Sequence, residues 1–465
     1  MSSANQINPT LRLLDNRFGD PAEKGGQGID ISWLPEQAKE LLSKYAGKSL
    51  NEWVKFGVVV SPDNLHGQKE LDDGSADLAF FTLASNHEGT KTWINTSNCM
   101  GVVKLRNHNG NSVQIEIGSR FDNSQKQFFL TYLLSKVFGG SMIEDVDLGT
   151  DSIWDMLLAF VFRRRLLEAS AVGLFKQYQT FHHNDARIRG RIDVTEHLRR
   201  NIPFCGKVAY STHEITFNNP TNHLIRYALA KASRKWGRLM TGDGLMDVRH
   251  DLEQNTPTWQ PGDVANCIRR KENRTPIKHP FFHAVYEPLR QVSLAILRDE
   301  GASLYQQHQE AEGVIFDGSW LWEEYLWTLL KPLDFKHPEN KKGEGGWQTE
   351  PGVTFYPDFF HEQKRVVLDA KYRRDFVNQE VRQDEAKQVF AYMFLLDAVG
   401  GGLIKPEGNQ KRQPITRQRR ITGAAHWHNF VLKPSDKLTA KDYLDEMHAQ
   451  EEAFQNNIRE RLTAN

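Results

Sequence analysis

Apolar residues recur along the N-terminal part of the chain with two different spacings. Over residues 33–46 they fall every three to four positions with Pro35 near the start, which predicts a helix with proline in its first turn. Between 53 and 117 they fall in short runs rich in β-branched and aromatic residues, which predict strands. These runs are 54–60, 78–83, 92–94, 100–105 and 113–117. Residues 1–30, polar and glycine-rich, are expected to form a loose arm.

The middle of the chain has mainly helical periodicity. Helices are predicted at 125–138, 153–175, 222–236 and 286–299. Two segments between them differ, because 181–216 is rich in arginine and looks extended, while 237–280 is polar and contains proline and glycine. The second of these is expected to be an exposed excursion.

The last third of the chain alternates between helical spacing and short strand-like apolar runs. Helical spacing at 321–330 is followed by two short apolar runs, 353–360 and 366–371, which flank the polar turn 361–365 as in a β-hairpin. Beyond the hairpin the sequence predicts a helix at 377–396, strands at 402–405 and 427–432, and a charged C-terminal helix at 439–462. Interleaved strands and helices of this kind are typical of an α/β arrangement.

A chain of 465 residues is too long for one ordinary hydrophobic core, so several domains are expected. The predicted fold class is α/β, or α+β overall. Its predicted parts are an N-terminal arm and helix (1–50), a β-rich domain (51–150), a mainly helical middle region (151–300), and a C-terminal domain with a mixed sheet flanked by helices (301–465).

Composition excludes some classes of protein and leaves others open. No apolar run approaches the roughly 20 residues that cross a bilayer, and the first residues lack the basic and apolar parts of a signal peptide, so a cytoplasmic protein is predicted. The three cysteines, Cys99, Cys205 and Cys267, lie far apart, which argues against a disulfide framework or a zinc ribbon. Basic and acidic residues both number 59, so net charge gives no sign of nucleic acid, although local basic clusters are compatible with a basic face.

The triplet Asp369-Ala370-Lys371 closes the second strand of the predicted hairpin. Similar triplets occur at 334–336, 339–341, 362–364 and 385–387. Only 369–371 follows an apolar strand and has a Pro-Asp pair, ending at Asp358, on the adjoining strand. Residues two apart in a strand point to the same face, so Asp369 and Lys371 are expected to lie side by side.

These residue types suit metal-assisted attack on a phosphodiester. Carboxylates of Asp358 and Asp369, with the Ala370 carbonyl, offer the oxygen ligands that Mg²⁺ prefers, and Mn²⁺ could replace it. A bound metal activates water and offsets charge on the phosphate, while Lys371 would orient or help deprotonate that water, or stabilise the transition state. The structural alternative is a surface ion pair of Asp369 with Lys371 or Arg373.

The combination resembles the PD-(D/E)xK nuclease superfamily, which implies a metal-dependent endodeoxyribonuclease. Members commonly carry a glutamate on the preceding helix, and Glu323 matches it as a further metal-side carboxylate; a solvated helix charge is the alternative. Gln388 and Tyr392 form a Q-x-x-x-Y pair on the following helix, where their spacing places both on one face. In the RecB-like branch this pair steadies DNA or the active site; a core-facing Tyr392 with an incidental glutamine is the alternative.

A narrower resemblance, over roughly 100–435, is to the McrC family, the nuclease partner of McrB-type AAA+ GTPases in modification-dependent restriction, and to related LlaJI-type systems. It is carried by Ile-Glu-Ile-Gly-Ser-Arg-Phe at 115–121, Ile-Arg-Gly-Arg-Ile-Asp at 188–193, Asn-His-Leu-Ile-Arg-Tyr-Ala-Leu at 222–229 and Gly-Val-Ile-Phe-Asp at 313–317. The resemblance implies that the β-rich part docks on a ring of McrB-like GTPase subunits and stimulates hydrolysis, while the C-terminal domain cuts double-stranded, modified DNA. The chain contains no G-x-x-x-x-G-K-[ST] motif, so the partner would supply the GTP site.

Other features of the chain are less specific. Arg373, Arg374, Lys411, Arg412 and Arg417 are weak candidates for contacts with DNA. Two alternative functions stay open: a catalytically inactive adaptor that activates the AAA+ GTPase, and a RecB- or Cas4-like DNA repair exonuclease. Cas4-like enzymes usually carry a four-cysteine cluster, which three scattered cysteines cannot form. The modified base, the oligomeric state and the residues that contact the GTPase are not encoded in any motif that we find.

Overall fold

The computed structural model describes most of the chain. The described residues are 8–56, 58–61, 79–86, 88–107, 110–122, 127–138, 151–237, 239–242, 244–305, 311–338, 345–348, 352, 354–373, 383–406, 418–420, 426–437 and 439–463. None of the helices in these ranges has the length and apolar character needed to cross a membrane. Two compact units are present, Met1–Phe160 with Gln307–Asn465, and Val161–Gln306. The mixture of helices with mixed sheets confirms the predicted α/β fold class.

The N-terminal part is built on two sheets. Its elements are β1 (Thr10–Leu14), β2 (Ile29–Asp30), α1 (Glu36–Tyr45), α2 (Leu50–Lys55), β3 (Val59–Ser61), β4 (Phe81–Ser85), β5 (Thr92–Thr96), β6 (Cys99–Arg106), β7 (Ser112–Gly118), α3 (Phe128–Phe138) and α4 (Asp151–Val172). Strands β2, β5 and β4 form a three-stranded sheet, and β6 and β7 form an antiparallel pair. Helix α1 agrees with the predicted helix, whose proline stands at the N-cap.

Two predictions for the N-terminal part are wrong. Part of the expected loose arm is strand β1, which runs parallel to β7 and buries Leu11 and Leu13. The run 54–60 is not one strand, because α2 occupies its first residues. A capping box starts this helix: Ser49 accepts a hydrogen bond from the Glu52 amide, and the Glu52 carboxylate accepts one from the Ser49 amide.

The middle part contains one small sheet and several helices. Its elements are β8 (Gln177–Asp185), β9 (Arg191–Ile192), α5 (Val194–Arg200), β10 (Val208–Thr216), α6 (Pro220–Lys235), α7 (Leu245–Asn255), α8 (Val264–Arg269), α9 (Lys271–Arg274) and α10 (His283–Tyr305). Strand β10 lies between β8 and β9. The expected excursion at 237–280 is wrong, because it contains α7, α8 and α9. Polar contacts fix it: the Asn273 amide donates to the carbonyls of Pro220 and Cys267 over 3.0 and 2.8 Å.

The C-terminal part carries the predicted hairpin. Its elements are β11 (Ala311–Asp317), α11 (Gly318–Leu330), β12 (Trp347–Gln348), β13 (Thr354–Phe355), β14 (Phe359–His361), β15 (Val366–Ala370), α12 (Gln383–Leu395), β16 (Gly400–Pro406), β17 (Gln418–Arg420), β18 (His426–Leu432) and α13 (Ala440–Thr463). The hairpin is confirmed as β14 and β15, which pair antiparallel with Phe359 opposite Leu368. The first predicted run is interrupted, however, since Thr354–Phe355 pairs with β12 instead.

Two five-stranded sheets form the framework of the first unit. One has the order β1-β7-β6-β11-β3 and the other β14-β15-β16-β18-β17. Strand β11 therefore lies inside the N-terminal sheet, paired with β6 and β3, and α11 starts at the next residue. Buried Glu451 of α13 accepts hydrogen bonds from Tyr132 of α3 and Tyr325 of α11, so these three helices are tied together. A helix that leaves the N-terminal sheet thus packs beside the hairpin domain.

Candidate active site

Strand β15 brings the candidate site residues into the interior of their sheet. It lies between β14 and β16, and all five of its residues are buried. Lys371 follows the strand directly, and its amide donates to the Ile404 carbonyl over 2.9 Å. The ladder with β16 therefore continues past the strand and fixes the backbone that carries Asp369 and Lys371.

Asp369 and Lys371 form a close ion pair at the end of β15. Asp369 is 1% exposed, and the Lys371 ammonium nitrogen lies 2.6 Å from Asp369 Oδ2. The two side chains thus share one face, as strand alternation predicts. Apart from this contact with Lys371, neither Asp369 oxygen accepts a hydrogen bond from any described residue. A buried carboxylate whose contact with a donor is limited to one neighbouring ammonium is costly to the fold and is typical of a functional position.

Electrostatics at the pair are dominated by burial and by a second carboxylate. Burial, and after it the negative charge of Asp358, raises the pKa of the Asp369 carboxyl, while Lys371 opposes the change. Burial lowers the pKa of Lys371, but attraction to Asp369 and Asp358 outweighs it, so that pKa is raised overall. The ammonium therefore stays charged at neutral pH, as a fixed positive charge beside two carboxylates.

Asp358 is held against the end of β15 through both its side chain and its backbone. Its Oδ2 accepts a hydrogen bond from the Ala370 amide over 2.7 Å, and its carbonyl oxygen accepts one from His337 Nδ1 over 2.6 Å. The His337 ring lies against Phe359, with ring centroids 5.0 Å apart. Sequence analysis missed His337, because it comes from a loop distant in the chain and belongs to no motif. The structure thus places Asp358 beside Asp369, as predicted.

The predicted pair on α12 faces the same ion pair. Lys371 Nζ donates to Gln388 Oε1 over 3.1 Å, and Gln388 Nε2 donates to the Tyr392 hydroxyl over 3.2 Å. The ring of Tyr392 packs against the apolar cluster under the sheet, which includes Val389 and Met393. Tyr392 therefore combines a core-facing ring with a polar contact to Gln388, and a role of this pair in steadying DNA or the active site stays a prediction.

Helix α11 carries Glu323 toward Lys371. The helix starts at Gly318 because the Asp317 carboxylate accepts a hydrogen bond from the Ser319 amide over 2.9 Å. Glu323 is half-buried, and its charge is among those that raise the pKa of Lys371. The neighbouring Glu324 accepts a hydrogen bond from Trp320 Nε1 over 3.1 Å instead.

Glu385 is a site residue that sequence analysis missed. It is buried at the start of α12, pairs with Lys405 over 2.9 Å and Arg373 over 3.7 Å, and its charge also raises the pKa of Asp369. A signal was available: Glu385, Val389 and Met393 stand four apart, so the acidic residue lies on the apolar face of the helix. In the sequence it also belongs to one of the Glu-x-Lys triplets that do not follow an apolar strand.

The oxygen donors at the end of β15 fit a divalent cation. Within the described ranges, no three His, Cys, Asp or Glu side chains lie close enough to form a complete metal cage. Mg²⁺, however, generally takes one or two carboxylates and completes its shell with water and phosphate oxygens. The carboxylate of Asp369, with Asp358 beside it, meets that requirement, whereas a ligand role for Glu323 stays a prediction. For Ala370 the structure shows the amide bonded to Asp358, and a ligand role for its carbonyl stays a prediction.

The structure tests few of the basic residues named as weak DNA contacts. Arg373 is exposed, with its guanidinium 3.7 Å from Glu385. Arg374, Lys411, Arg412 and Arg417 lie outside the described residues. Their contact with DNA stays a prediction.

Comparison with known proteins identifies the family. The family described as McrBC 5-methylcytosine restriction system component matches residues 94–406, which is more than half of the chain. Curated proteins give no match. One solved structure is a refined half-complex from a tetradecameric assembly of Thermococcus gammatolerans McrB AAA+ hexamers with bound McrC; it is 14% identical, covers 95% of this chain and 99% of the other, and has a TM-score of 0.47.

A second solved structure is the Thermococcus gammatolerans McrBC complex, 13% identical over 70% of this chain and 87% of the other, with a TM-score of 0.30. Both structural likenesses are weak, so the assignment depends on the family match alone. That match spans the motifs at 115–121, 188–193, 222–229 and 313–317 and confirms the resemblance drawn from them. The chain belongs to the family of McrBC 5-methylcytosine restriction system components.

Proposed function

We propose that this chain is the Mg²⁺-dependent DNA endonuclease subunit of an McrBC-like restriction system, which cleaves phosphodiester bonds when assembled with an AAA+ GTPase that it stimulates. The observation that carries the proposal is Asp369, a buried carboxylate that lies beside Asp358 and 2.6 Å from the Lys371 ammonium. Family membership supports the restriction context.

The residues around Asp369 have separable roles in the proposed reaction. A divalent cation held by Asp358 and Asp369, with Glu323, would supply Lewis-acid stabilisation of the phosphate and an activated water. Lys371, 2.6 Å from Asp369, would orient or help deprotonate that water, or stabilise negative charge on the phosphate. Gln388 accepts a hydrogen bond from the Lys371 ammonium and thereby restricts its direction.

Residues 177–216 have the surface expected of a segment that binds a partner protein. Among them only Asn201, Ala209 and Tyr210 are buried. Large apolar side chains that are exposed are Tyr178, Ile188, Ile192, Val194, Leu198, Ile202, Phe204 and Ile215. So many exposed apolar residues on so small a core mark an interaction site. We assign the GTPase to this surface, whereas the motif resemblance implied docking by the β-rich part.

The decisive experiment for the nuclease is cleavage of modified double-stranded DNA with Mg²⁺, GTP and the cognate GTPase. Asp369→Asn and Lys371→Met are expected to abolish cleavage and leave stimulation of GTP hydrolysis intact. Lys336→Met and Glu362→Gln are matched controls, because this exposed ion pair joins the same hairpin to the preceding loop. Cleavage at the wild-type rate by both site variants contradicts this assignment of the centre. A wild-type chain that stimulates the GTPase without any cleavage of DNA favours the adaptor function.

The partner surface needs its own test. Phe204→Asp with Ile202→Asp is expected to abolish stimulation of the GTPase and co-elution with it, since both side chains are more than half exposed. Exposed Met246→Asp, elsewhere in the same unit, is the control. Degradation of linear DNA from its ends without any GTPase would favour the repair exonuclease instead.

A further inference from the structure

A buried polar cluster surrounds Tyr372, the residue that follows Lys371 behind the candidate active site. The Tyr372 hydroxyl is 2.6 Å from Ser119 Oγ and 3.5 Å from Met100 Sδ, and the ring is 3% exposed. The Arg120 guanidinium lies over the Tyr372 ring, 4.8 Å from its centroid. Both Ser119 and Arg120 come from the end of β7, so the N-terminal sheet contacts the hairpin domain at this residue.

Arg120 is itself held in place from two sides. Its amide and guanidinium both bond the Asp15 carboxylate, with an ion pair of 2.8 Å, and its guanidinium also donates to Asn98 Oδ1. Asp15 is fully buried and Arg120 is 5% exposed. A buried guanidinium with several fixed acceptors is held in one position, and the Tyr372 ring stacks on the guanidinium there.

The same cluster reaches the helix that carries Glu323. The Asn98 side chain donates to Ser319 Oγ over 2.6 Å, and the Asn98 backbone carbonyl accepts a hydrogen bond from the Gly318 amide over 2.8 Å. A Cβ at Gly318 would lie 2.8 Å from the Asn98 oxygen and 3.0 Å from the Tyr372 ring, so only glycine fits there. The start of α11 therefore packs directly on Tyr372.

These contacts join two segments that the hairpin alone leaves independent. One segment ends in Asp369 and Lys371, and the other leads to Glu323. We propose that Arg120 and Tyr372 are positioning residues of the nuclease centre, which set the distance between the end of β15 and α11. This inference rests on the proposed nuclease function, and it assigns the Gly-Ser-Arg-Phe stretch of the N-terminal sheet a part in cleavage.

The arrangement favours positioning over a purely stabilising role. A buried ion pair adds little net stability, because desolvation of both charges offsets their attraction. The ion pair does fix the position of the Arg120 guanidinium, and the guanidinium in turn fixes the ring of Tyr372, the residue after Lys371. Groups that orient metal ligands in this indirect way commonly change metal affinity about 10–100-fold when they are removed.

Two variants of the full chain test the proposal. Arg120→Lys keeps the charge but cannot reach Asp15 and Asn98 while it covers Tyr372, and Tyr372→Phe removes only the hydroxyl. Each is expected to raise the Mg²⁺ concentration for half-maximal cleavage by about 10-fold. Each is also expected to speed amide hydrogen exchange in 366–373, a readout that needs neither metal nor cleavage. Tyr286→Phe is the matched control, since its buried hydroxyl donates to the Gly173 carbonyl over 2.7 Å in the other unit.

The outcomes separate this inference from the nuclease assignment. Wild-type protein that never cleaves DNA contradicts the proposed function, while faster exchange in the two variants alone still supports the coupling of Tyr372 to β15. Wild-type exchange and wild-type Mg²⁺ dependence in folded Arg120→Lys and Tyr372→Phe overturn the positioning role. A loss of thermal stability equal to that of Tyr286→Phe, with no change in exchange at 366–373, also overturns it.

Discussion

The Lys371 ammonium and the Gln388 side chain are joined by a hydrogen bond of 3.1 Å, which connects the end of β15 to the middle of α12. Gln388 accepts from Lys371 and donates to Tyr392, so it stands between the charged group and the core. An ammonium paired only with Asp369 could rotate about its long flexible stem. The amide of Gln388 restricts that rotation and keeps the charge at one place.

Replacing Gln388 by leucine is expected to lower single-turnover cleavage about 10-fold while DNA affinity changes little, because the lost contact orients Lys371 rather than binding DNA. Tyr392→Phe is expected to lower the cleavage rate less, since the Tyr392 hydroxyl bonds Gln388 and is one residue removed from the Lys371 ammonium. Rapid-quench measurements at saturating enzyme give the rate. Phe394→Ala, on an exposed position of the same helix, is the control; a Gln388→Leu enzyme that matches this control contradicts the orienting role.

The pair Glu385 and Lys405 is expected to behave as a buried ion pair. Glu385→Gln leaves Lys405, 13% exposed, without its closest negative partner, so we expect a loss of about 3 kcal/mol in the free energy of unfolding. The double variant Glu385→Leu with Lys405→Met is expected to lose less than the single one, because neither charge is then buried alone. Urea unfolding followed by tryptophan fluorescence measures both. A double variant less stable than Glu385→Gln would show that these residues contribute through packing instead.

The sequence predicted the hairpin and the residues that meet at its end because local rules determine them. Alternation places Asp369 beside Lys371, and helical spacing places Gln388 above Tyr392. Their catalytic role stays a prediction. His337 was missed for a different reason, since its position depends on contacts between segments that no local pattern specifies. The same holds for Tyr372, whose partners Ser119 and Arg120 lie some 250 positions earlier in the chain. Glu385 did have a local signal, because it shares the buried helix face of Val389 and Met393.

Each error in the predicted fold has a physical cause. Thr10–Leu14 alternates apolar and polar residues over too few positions to outweigh its polar surroundings, yet pairing with β7 makes it a strand. The capping box at Ser49 and Glu52 was a readable signal for α2, but the β-branched residues that follow it favoured a strand. The helices at 245–274 are short and polar, and buried side-chain contacts such as those of Asn273 stabilise them more than propensity does.

His223, within the helix motif at 222–229, is expected to make stability fall in acid. Burial, followed by the charges of Arg270 and Arg226, lowers the pKa of His223 from 6.5 to about 4. The unfolded chain therefore binds a proton that the folded chain does not bind between these values. Stability is complete above pH 6.5 and declines as the pH falls toward 4, by at most about 1.4 kcal/mol per pH unit from this residue.

His223→Gln tests this expectation, because glutamine can still donate to Asn218 Oδ1, the partner that lies 2.7 Å from His223 Nε2. Urea midpoints between pH 4 and 7 should fall less steeply with acid for the variant than for the wild type. Exposed His250→Gln is the matched control and should leave the slope unchanged. Identical slopes for wild type and His223→Gln would mean that His223 titrates alike in both states.

Gly101 is expected to be intolerant of any side chain, and the reason bears on the active site. It stands in β6 with φ +146°, and a Cβ there would lie 2.1 Å from the Val314 carbonyl oxygen of β11. Gly101→Ala must therefore push β11 away, at a cost of about 2–3 kcal/mol in stability. Because α11 and Glu323 follow β11 directly, the displacement should also weaken Mg²⁺-dependent cleavage at temperatures where the variant is fully folded. Gly262→Ala, which adds a methyl group in open space, is the control. Weaker cleavage at temperatures where Gly101→Ala is fully folded would show that the position of β11 matters to cleavage as well as to folding. Wild-type stability of the variant would contradict the predicted clash between β6 and β11.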